Sequence, residues 1–282
     1  MNKLPLAKRV QILSMLCEGS SKRSISRVAD VSMDAVAKLL VDSGNACVEH
    51  HDRAVRDVAA QRVQCDETWS FCYAKARNAT KEQKAQGAGD VWTWTALDAD
   101  SKLILSWAVG DRDTESALAL MDDLRARLAN RVQLTTDGHP PYVKAVAEAF
   151  GDEIDYAMLV KLYGTAQGNA QERRYSPGQC TGTRKTEISG NPDRKHVSTS
   201  YSERHTLTIC MGMRCFTRLT NAFSKKIENH SHAVALHFMY YNFCRIHQTL
   251  RITPAMAAGV SDHVWEIEEM LALLDEPLQA AA

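Results

Sequence analysis

The sequence predicts an α/β protein in which a mixed five-stranded sheet flanked by helices follows a small all-helical segment. Residues 4–43 carry apolar side chains at helical spacing, whereas residues 61–162 alternate between strand-like and helix-like segments. Three consecutive strands, followed by helix, strand, helix and strand, give a mixed sheet, because a crossover helix joins parallel neighbours. The 282 residues are enough for one large domain and one small one.

The first 45 residues are expected to form three helices. An apolar residue recurs every third or fourth position in the first helix, which ends at Gly19. A second, short helix precedes the tight turn 30–32, where Ser32 is a good N-cap for a third helix that ends at Gly44. Two short helices joined by a three-residue turn are typical of a helix-turn-helix domain. The alternative is a small structural three-helix bundle.

Basic side chains on this helix pair favour DNA as a partner. The third helix would act as the recognition helix and enter the major groove by its N-terminal end. The candidate DNA-binding residues of this segment are Lys22, Arg23, Arg27, Met33, Asp34 and Lys38. A polar linker is predicted over 46–60, before the larger domain at 61–250.

A strand is predicted over 63–71, with Asp66 on its polar face. Val63, Cys65, Trp69 and Phe71 alternate with polar residues, which suits a half-buried strand. An ionised carboxylate at the centre of such a strand needs a partner or a metal ion. The alternative is a solvated acid on an edge strand. The neighbouring Glu67 falls on the apolar face, where we expect it to be locally exposed.

The remaining elements follow from periodicity and turn residues. After a basic loop at 74–90, strands are predicted at 91–97, 103–109, 132–136 and 156–162, with a helix capped by Thr114 and another begun by Pro140 and Pro141. The Gly- and Pro-rich stretch 163–199 is expected to be a long loop or basic insertion. Helices are predicted at 200–220, 230–246 and 264–274, the last in an acidic tail over 251–282, with a helical turn between Pro254 and Gly259.

The distribution of charge and the spacing of the cysteines limit the classes of protein that the sequence can belong to. Residues 161–226 hold twelve Lys/Arg against four acids, which suggests a surface for a polyanion, whereas residues 257–282 hold six acids and no Lys/Arg. The eight cysteines form no C-x-x-C pair, which argues against a zinc finger and a disulfide scaffold and favours reduced thiols in the cytoplasm. We expect no membrane span, because the sequence has no apolar run of about 18 residues.

Two aspartates are predicted to meet at one end of the sheet. Asp137 follows the strand 132–136, and Asp66 lies within the strand 63–71. If these strands are neighbours, the two carboxylates approach within a few ångström and repel unless a divalent cation lies between them. Mg²⁺ suits this donor set, and two such ions can clamp a phosphodiester. Glu203, on the helix after the fifth strand, is placed to be a third acid.

Several motifs taken together resemble those of bacterial insertion-sequence transposases of the DDE type. The acidic motifs are Asp66-Glu67-Thr68-Trp69 and Thr136-Asp137-Gly138, and the later matches are Thr220–Lys226, Tyr240–Phe243, His247 and Thr253–Met256. The resemblance, which spans about residues 58–267, implies a ribonuclease-H-like fold and DNA strand cleavage and strand transfer with Mg²⁺ or Mn²⁺. It also implies the triad Asp66, Asp137 and Glu203, with water and then a 3′-hydroxyl as the nucleophile.

The resemblance extends to residues around the triad. Arg204 and Arg214 are candidate DNA contacts, and Trp69, His139 and His247 are candidate supporting residues, although the histidines could equally be polar surface or capping groups. Glu172 and Glu187 are rivals of Glu203. Family members carry an amide and a basic residue three and seven positions after the third acid, where this chain has Thr206 and Cys210.

The implied partners are the terminal inverted repeats of the element and target DNA, bound by at least a dimer. Two alternatives to a transposase stay open. One is a related metal-dependent nuclease that cuts without joining, and the other is a DNA-binding protein whose catalytic domain is inactive.

Overall fold

A six-stranded mixed sheet forms the centre of the protein. The computed structural model describes residues 4–164, 178–217 and 222–275. The strands are β1 Arg62–Cys72, β2 Gly89–Asp98, β3 Ile104–Gly110, β4 Gln133–Thr136, β5 Asp155–Tyr163 and β6 Cys180–Ser189, in the order β3-β2-β1-β4-β5-β6. The β1–β4 and β4–β5 pairs are parallel and the others antiparallel. The predicted mixed sheet flanked by helices is confirmed, and its order is compatible with a ribonuclease-H-like fold.

Helices cover both faces of this sheet and precede it in the chain. They are α1 Leu6–Cys17, α2 Lys22–Ala29, α3 Met33–Ala54, α4 Lys81–Ala85, α5 Thr114–Arg127, α6 Pro141–Phe150, α7 Ser200–Gly212, α8 Ile227–Met239, α9 Pro254–Ala257 and α10 Ile267–Ala272. Short 3₁₀ turns follow α7 and α10, and a π-helical turn, Tyr240–Cys244, continues α8. Two of these helices differ from the prediction. The helix α4 lies inside the predicted basic loop, and the N-cap of α5 is Asp113, not Thr114.

The third helix is longer than predicted. It continues through Gly44 to Ala54, so most of the expected linker 46–60 is helical. Gly44 does not end the helix; a Cβ there would lie 2.6 Å from the Cβ of His232 on α8, so the missing side chain permits close packing of the two helices. The expected cap at Ser32 is present, since its hydroxyl accepts a hydrogen bond from the Ala35 N–H.

One hydrophobic core joins the N-terminal helices to the sheet. It contains Leu13 of α1, Ile25 of α2, Leu39 of α3 and Val63 of β1, all buried. The C-terminal end of α3 is also fastened to α5, because the buried guanidinium of Arg127 donates to the main-chain oxygens of α3 and pairs with Asp52 and Asp123. The structure therefore packs α1–α3 against the sheet as one body.

A sixth strand lies within the stretch expected to be a loop. β6 pairs with β5 in antiparallel fashion, and most of its side chains are exposed. The prediction of five strands was wrong because a strand exposed on both faces has no apolar alternation to mark it. Residues 165–177 of the predicted insertion lie outside the described residues.

The C-terminal helices are shorter than predicted. α7 ends at Gly212, not near 220, and α10 covers only Ile267–Ala272. A second core, which includes Ile209 of α7 and Phe238 of α8, packs α7 and α8 on the sheet face that carries Leu97. All eight cysteines are free thiols. Among the described residues, we find no helix with the length and apolar character needed to cross a membrane.

Candidate metal centre

The two predicted aspartates lie opposite each other where β1 and β4 diverge. The last paired residues of these parallel strands are Gln64 and Thr135. Continuing this register by two residues places Asp66 opposite Asp137, just beyond the end of the short strand β4. Gly138 then allows the chain to pass close to β5, because a Cβ there would lie 2.8 Å from a methyl carbon of Val160.

A third acid joins this pair. One side-chain oxygen from each of Asp66, Glu67 and Asp137 lies within 4.8 Å of the other two. The approach of Asp66 and Asp137 expected from the sequence is therefore confirmed. Glu67 was missed as a member of the cluster, which we call the acid cluster below.

Asp66 carries the least compensated charge of the acid cluster. Its carboxylate accepts hydrogen bonds from the Thr206 hydroxyl, at 3.2 Å, and from the Glu67 N–H, at 3.0 Å. No ion pair to Asp66 occurs in the described part of the chain. Burial, with the negative charges of Glu67 and Asp137, raises the pKa of Asp66 to about 7.

Glu67 is buried and neutralised by an arginine, which corrects the expectation of local exposure. Its side chain is 1% exposed. The Arg112 guanidinium donates to one carboxylate oxygen at 2.7 Å, and the Tyr142 hydroxyl donates to the other at 3.2 Å. Burial and Asp137 raise the pKa of Glu67, whereas Arg112 and Tyr142 act against that rise. The position of Glu67 on the apolar face of its strand was therefore a sign, visible in the sequence, that its carboxylate is buried with a cation.

Arg112 connects Glu67 to the rest of the acid cluster. It lies in the loop between β3 and α5, 3.8 Å from the Asp137 carboxylate, and its guanidinium stacks 4.8 Å above the Trp92 ring. The Trp94 indole N–H donates to the Asp111 carbonyl at 3.0 Å and so fixes this loop. Among the described residues, Arg112 is therefore the one cation that pairs with the three carboxylates of the acid cluster.

Asp137 is the most accessible of the three acids. Its side chain is 37% exposed, and one oxygen accepts a hydrogen bond from the His139 N–H at 2.9 Å. The His139 ring lies against Trp94 and Tyr142, and its buried Nε2 has no hydrogen-bond partner among the residues that the structure describes. Burial and Arg112 lower the pKa of His139, so the ring is neutral near pH 7.

The structure does not bring Glu203 into the acid cluster. Its carboxylate pairs with the Lys161 ammonium at 2.5 Å and accepts from the Thr199 hydroxyl at 2.6 Å. The start of α7 is nevertheless held on β1, because Gln64 accepts from two main-chain N–H groups of α7. Thr206, one helical turn after Glu203, bonds to Asp66. Of the rival acids, Glu187 pairs with Arg194 and Glu172 lies outside the described residues.

The predicted DNA-binding residues lie mostly on the surface. Side chains of α2, α3, α7 and the turn that follows α7 are exposed at Arg23, Arg27, Met33, Asp34, Lys38, Arg204 and Arg214, while Lys22 is half-buried. Lys38 pairs with Asp42. Arg27 of α2 and Arg214 of the 3₁₀ turn after α7 line one polar cavity of about 650 Å³.

The two other predicted supporting residues lie on different sides of the acid cluster. Trp69 is half-buried on β1, two residues beyond Glu67. His247 is half-buried near the start of α7, and its pKa is lowered by burial and by the nearby cations Lys102, Arg245 and Arg204. His247 makes no contact with the acid cluster in the described residues.

The acid cluster could hold a metal ion. Carboxylate oxygens are the ligands that Mg²⁺, Mn²⁺ and Ca²⁺ prefer, and the uncompensated Asp66 supplies the charge that such an ion would neutralise. Comparison of the sequence with protein-family models and with curated proteins finds no match.

Proposed function

We propose that this protein is a DDE-type DNA transposase that binds the ends of an insertion sequence and catalyses metal-dependent DNA strand cleavage and strand transfer. The observation that carries the proposal is the placement of Asp66 opposite Asp137, where the parallel pairing of β1 and β4 ends, with no cation on Asp66 in the described residues. The motifs shared with bacterial insertion-sequence transposases supply the reaction class. In this proposal the protein acts in the bacterial cytoplasm, as a dimer or larger assembly on DNA.

Asp66 and Asp137 would hold Mg²⁺ or Mn²⁺, with up to two ions in the site, and Glu203 would become a further ligand only after its carboxylate leaves the Lys161 ammonium. A bound divalent ion supplies charge stabilisation at phosphoryl oxygens and a lowered pKa for bound water. The chain itself orients the ligands. Thr206 and the Glu67 N–H hold the Asp66 carboxylate, and the His139 N–H holds that of Asp137. No side-chain nucleophile is needed, because water and a 3′-hydroxyl attack phosphorus.

The experiment is a cleavage and joining assay on supercoiled plasmid that carries the genomic DNA flanking this gene on both sides. With Mg²⁺ or Mn²⁺ we expect nicked, linear and strand-joined products, and none in EDTA. Asp66→Asn or Asp137→Asn should lower product formation by several orders of magnitude, since each removes a charged ligand but keeps the side-chain size. The exposed Asp122 on α5 provides a matched control, Asp122→Asn, that should keep full activity.

The same assay separates the alternatives. Cleavage without joined products would indicate a nuclease. DNA binding without metal-dependent cleavage would indicate an inactive catalytic domain, an alternative that gains weight from the Glu203–Lys161 pair. Full activity of both Asp→Asn variants would overturn the proposal.

End binding is assigned to the N-terminal helices and is tested with point variants. Deleting residues 1–45 would cut α3 and open the shared core, so loss of binding would be uninformative. Replacing the exposed Arg23 and Arg27 by Ala should weaken binding to the flanking DNA. The slope of log affinity against log salt should flatten by about 0.9 for each phosphate that the protein no longer neutralises. Unchanged binding would reject this assignment.

A further inference from the structure

A row of half-buried aromatic side chains leads away from the acid cluster along β1. Trp69 and Phe71 follow Glu67 at alternate positions, so they share its face of the sheet at steps of about 7 Å. Trp92 is the register partner of Trp69 on β2 and lies on the same face. The ring centroids of Trp69 and Phe71 are 5.7 Å apart, and Phe223 stacks on Phe71 at 5.2 Å.

Two cations accompany this aromatic row. The Lys75 ammonium lies 5.4 Å from the Trp69 ring centroid and 5.7 Å from that of Phe71. Arg112 stacks on Trp92 and also bonds to Glu67. The row therefore begins at the acid cluster, and positive charge lies beside its rings.

Among the described residues, core packing accounts for the part of this face at Trp94, beside the acid cluster. Trp94, on the same face, is fully buried against Tyr142, and its indole N–H is satisfied by the Asp111 carbonyl. Trp92, Trp69, Phe71 and Phe223 are only half-buried and continue the face beyond that packing. Aromatic faces combined with cations suit single-stranded nucleic acid, in which unpaired bases stack on rings and phosphates meet Lys and Arg. An intact duplex keeps its base faces stacked and offers none to such a row.

We propose that the aromatic row stacks unpaired bases of the DNA strand that enters the acid cluster. The inference rests on the proposed function and deepens it, because it names the DNA structure that the site accepts, a DNA end with unpaired bases. Trp69 and Phe71 are the base-stacking residues, and Lys75 contacts the phosphates beside them.

The first test measures binding in EDTA, so that cleavage plays no part. Fluorescence anisotropy of the full-length protein is recorded with a labelled single strand, an abasic strand of the same length and the matching duplex. Trp69→Leu and Phe71→Leu keep apolar volume but remove the ring. Each should weaken single-strand binding by roughly 5- to 150-fold, the range that loss of one stacking aromatic produces. Binding of the abasic strand and the duplex should stay unchanged, and Trp69→Phe should bind the single strand nearly as the unaltered protein does.

Equal binding of the single strand by both Leu variants and the unaltered protein would overturn the inference. A second measurement needs no variant and decides the question if a Leu variant fails to fold. Photocross-linking of the unaltered protein to a single strand carrying 5-iododeoxyuridine should give adducts at Trp69 or Phe71. Adducts confined to residues outside the aromatic row would overturn the inference.

Failure of this inference differs from failure of the proposed function. A protein that cleaves and joins DNA, yet binds single strands and abasic strands equally well, contradicts only the base-stacking role. A protein that cross-links through Trp69 but never cleaves DNA supports the aromatic row and contradicts the transposase proposal.

Discussion

Asp66 and Glu203 lie on neighbouring elements, yet their charges are balanced in different ways. Each accepts a hydrogen bond from a threonine hydroxyl, Thr206 for Asp66 and Thr199 for Glu203. Glu203 also has Lys161 as a cation, whereas Asp66 has two further carboxylates as neighbours and a pKa raised to about 7. The fold thus neutralises Glu203 by itself and leaves Asp66 to be neutralised by an added cation or a proton.

Outside the acid cluster, the largest expected effect concerns Glu203, whose ion pair with Lys161 competes with a role as metal ligand. Glu203→Gln should lower DNA cleavage at least about a hundredfold while sparing DNA binding, because it removes a charged ligand. Lys161→Met should keep cleavage and tighten Mn²⁺ binding, since it frees the Glu203 carboxylate. Cleavage kinetics and gel-shift titrations measure both. A Glu203→Gln protein that cleaves at the normal rate would leave Glu203–Lys161 as a structural ion pair.

A substitution of Arg112 tests whether the acid cluster depends on the guanidinium that pairs with Glu67 and Asp137. Arg112→Met leaves the buried Glu67 carboxylate without its cation, which we expect to lower the free energy of unfolding by about 2–3 kcal/mol. This is less than for a fully buried pair, because the Arg112 side chain is 40% exposed. Urea unfolding measures the loss. The double variant Glu67→Gln/Arg112→Met should recover most of it, and a double variant as unstable as Arg112→Met would show that the guanidinium acts through other contacts.

Asp66 should destabilise the metal-free fold when it is ionised. The pKa of Asp66 is raised from the ordinary value of 3.8 to about 7. Between these pH values the folded protein keeps a proton on Asp66 that the unfolded chain has lost. The stability of the fold therefore falls as the pH rises from about 4 through 7. The difference between these two pKa values corresponds to a loss of stability of about 4 kcal/mol at most, and partial exposure of Asp66 reduces this loss to about 2 kcal/mol.

In EDTA at pH 8, Asp66→Asn should therefore be more stable than the unaltered protein by about 2 kcal/mol, with the difference vanishing near pH 4. Urea unfolding at the two pH values measures this gain. If the variant and the unaltered protein were equally stable at both pH values, the ionised Asp66 would be stabilised by solvent and would not need a metal ion.

Thr206 gives the smallest expected effect. Its hydroxyl donates to the Asp66 carboxylate at 3.2 Å. Thr206→Val keeps the shape of the side chain but removes the donor, which should weaken Mn²⁺ binding about tenfold, in the range found for groups that orient metal ligands. Thr208→Val, on the next part of α7, is the matched control, because the Thr208 hydroxyl donates within its own helix, to the Arg204 carbonyl, and in the described part of the chain it has no bond to the acid cluster. Equal Mn²⁺ affinity of both variants would remove Thr206 from the site.

The pairing of Asp66 with Asp137 could be predicted because it depends on strand order. The helix α5 crosses from β3 to β4 and so makes β4 parallel to β1, whereas the position of β4 beside β1 was a condition of the prediction that the structure then met. Glu67 could not be placed in the same way, because its partner Arg112 lies 45 residues away in a loop. A carboxylate on an apolar strand face was nevertheless a readable sign of a buried cation.

The elements that differ from prediction share another cause. The end of α3 is polar in composition, yet Leu40, Cys47 and His51 continue its buried stripe at helical spacing. Gly44 resembles a helix stop in the sequence, and only its tertiary packing against α8 explains why the helix continues. β6 forms by pairing with β5, and its exposed side chains carry no periodic pattern. Long-range contacts, which a local pattern does not encode, decide both elements.

The central claim is that Asp66 and Asp137 form a divalent-metal site, and Mn²⁺ titration followed by electron paramagnetic resonance tests it most directly. The unaltered protein should bind Mn²⁺ saturably and release it to excess Mg²⁺. Asp66→Asn and Asp137→Asn should each remove this binding, and Asp122→Asn should keep it. Equal Mn²⁺ binding by all four proteins, each shown to be folded, would contradict the claim.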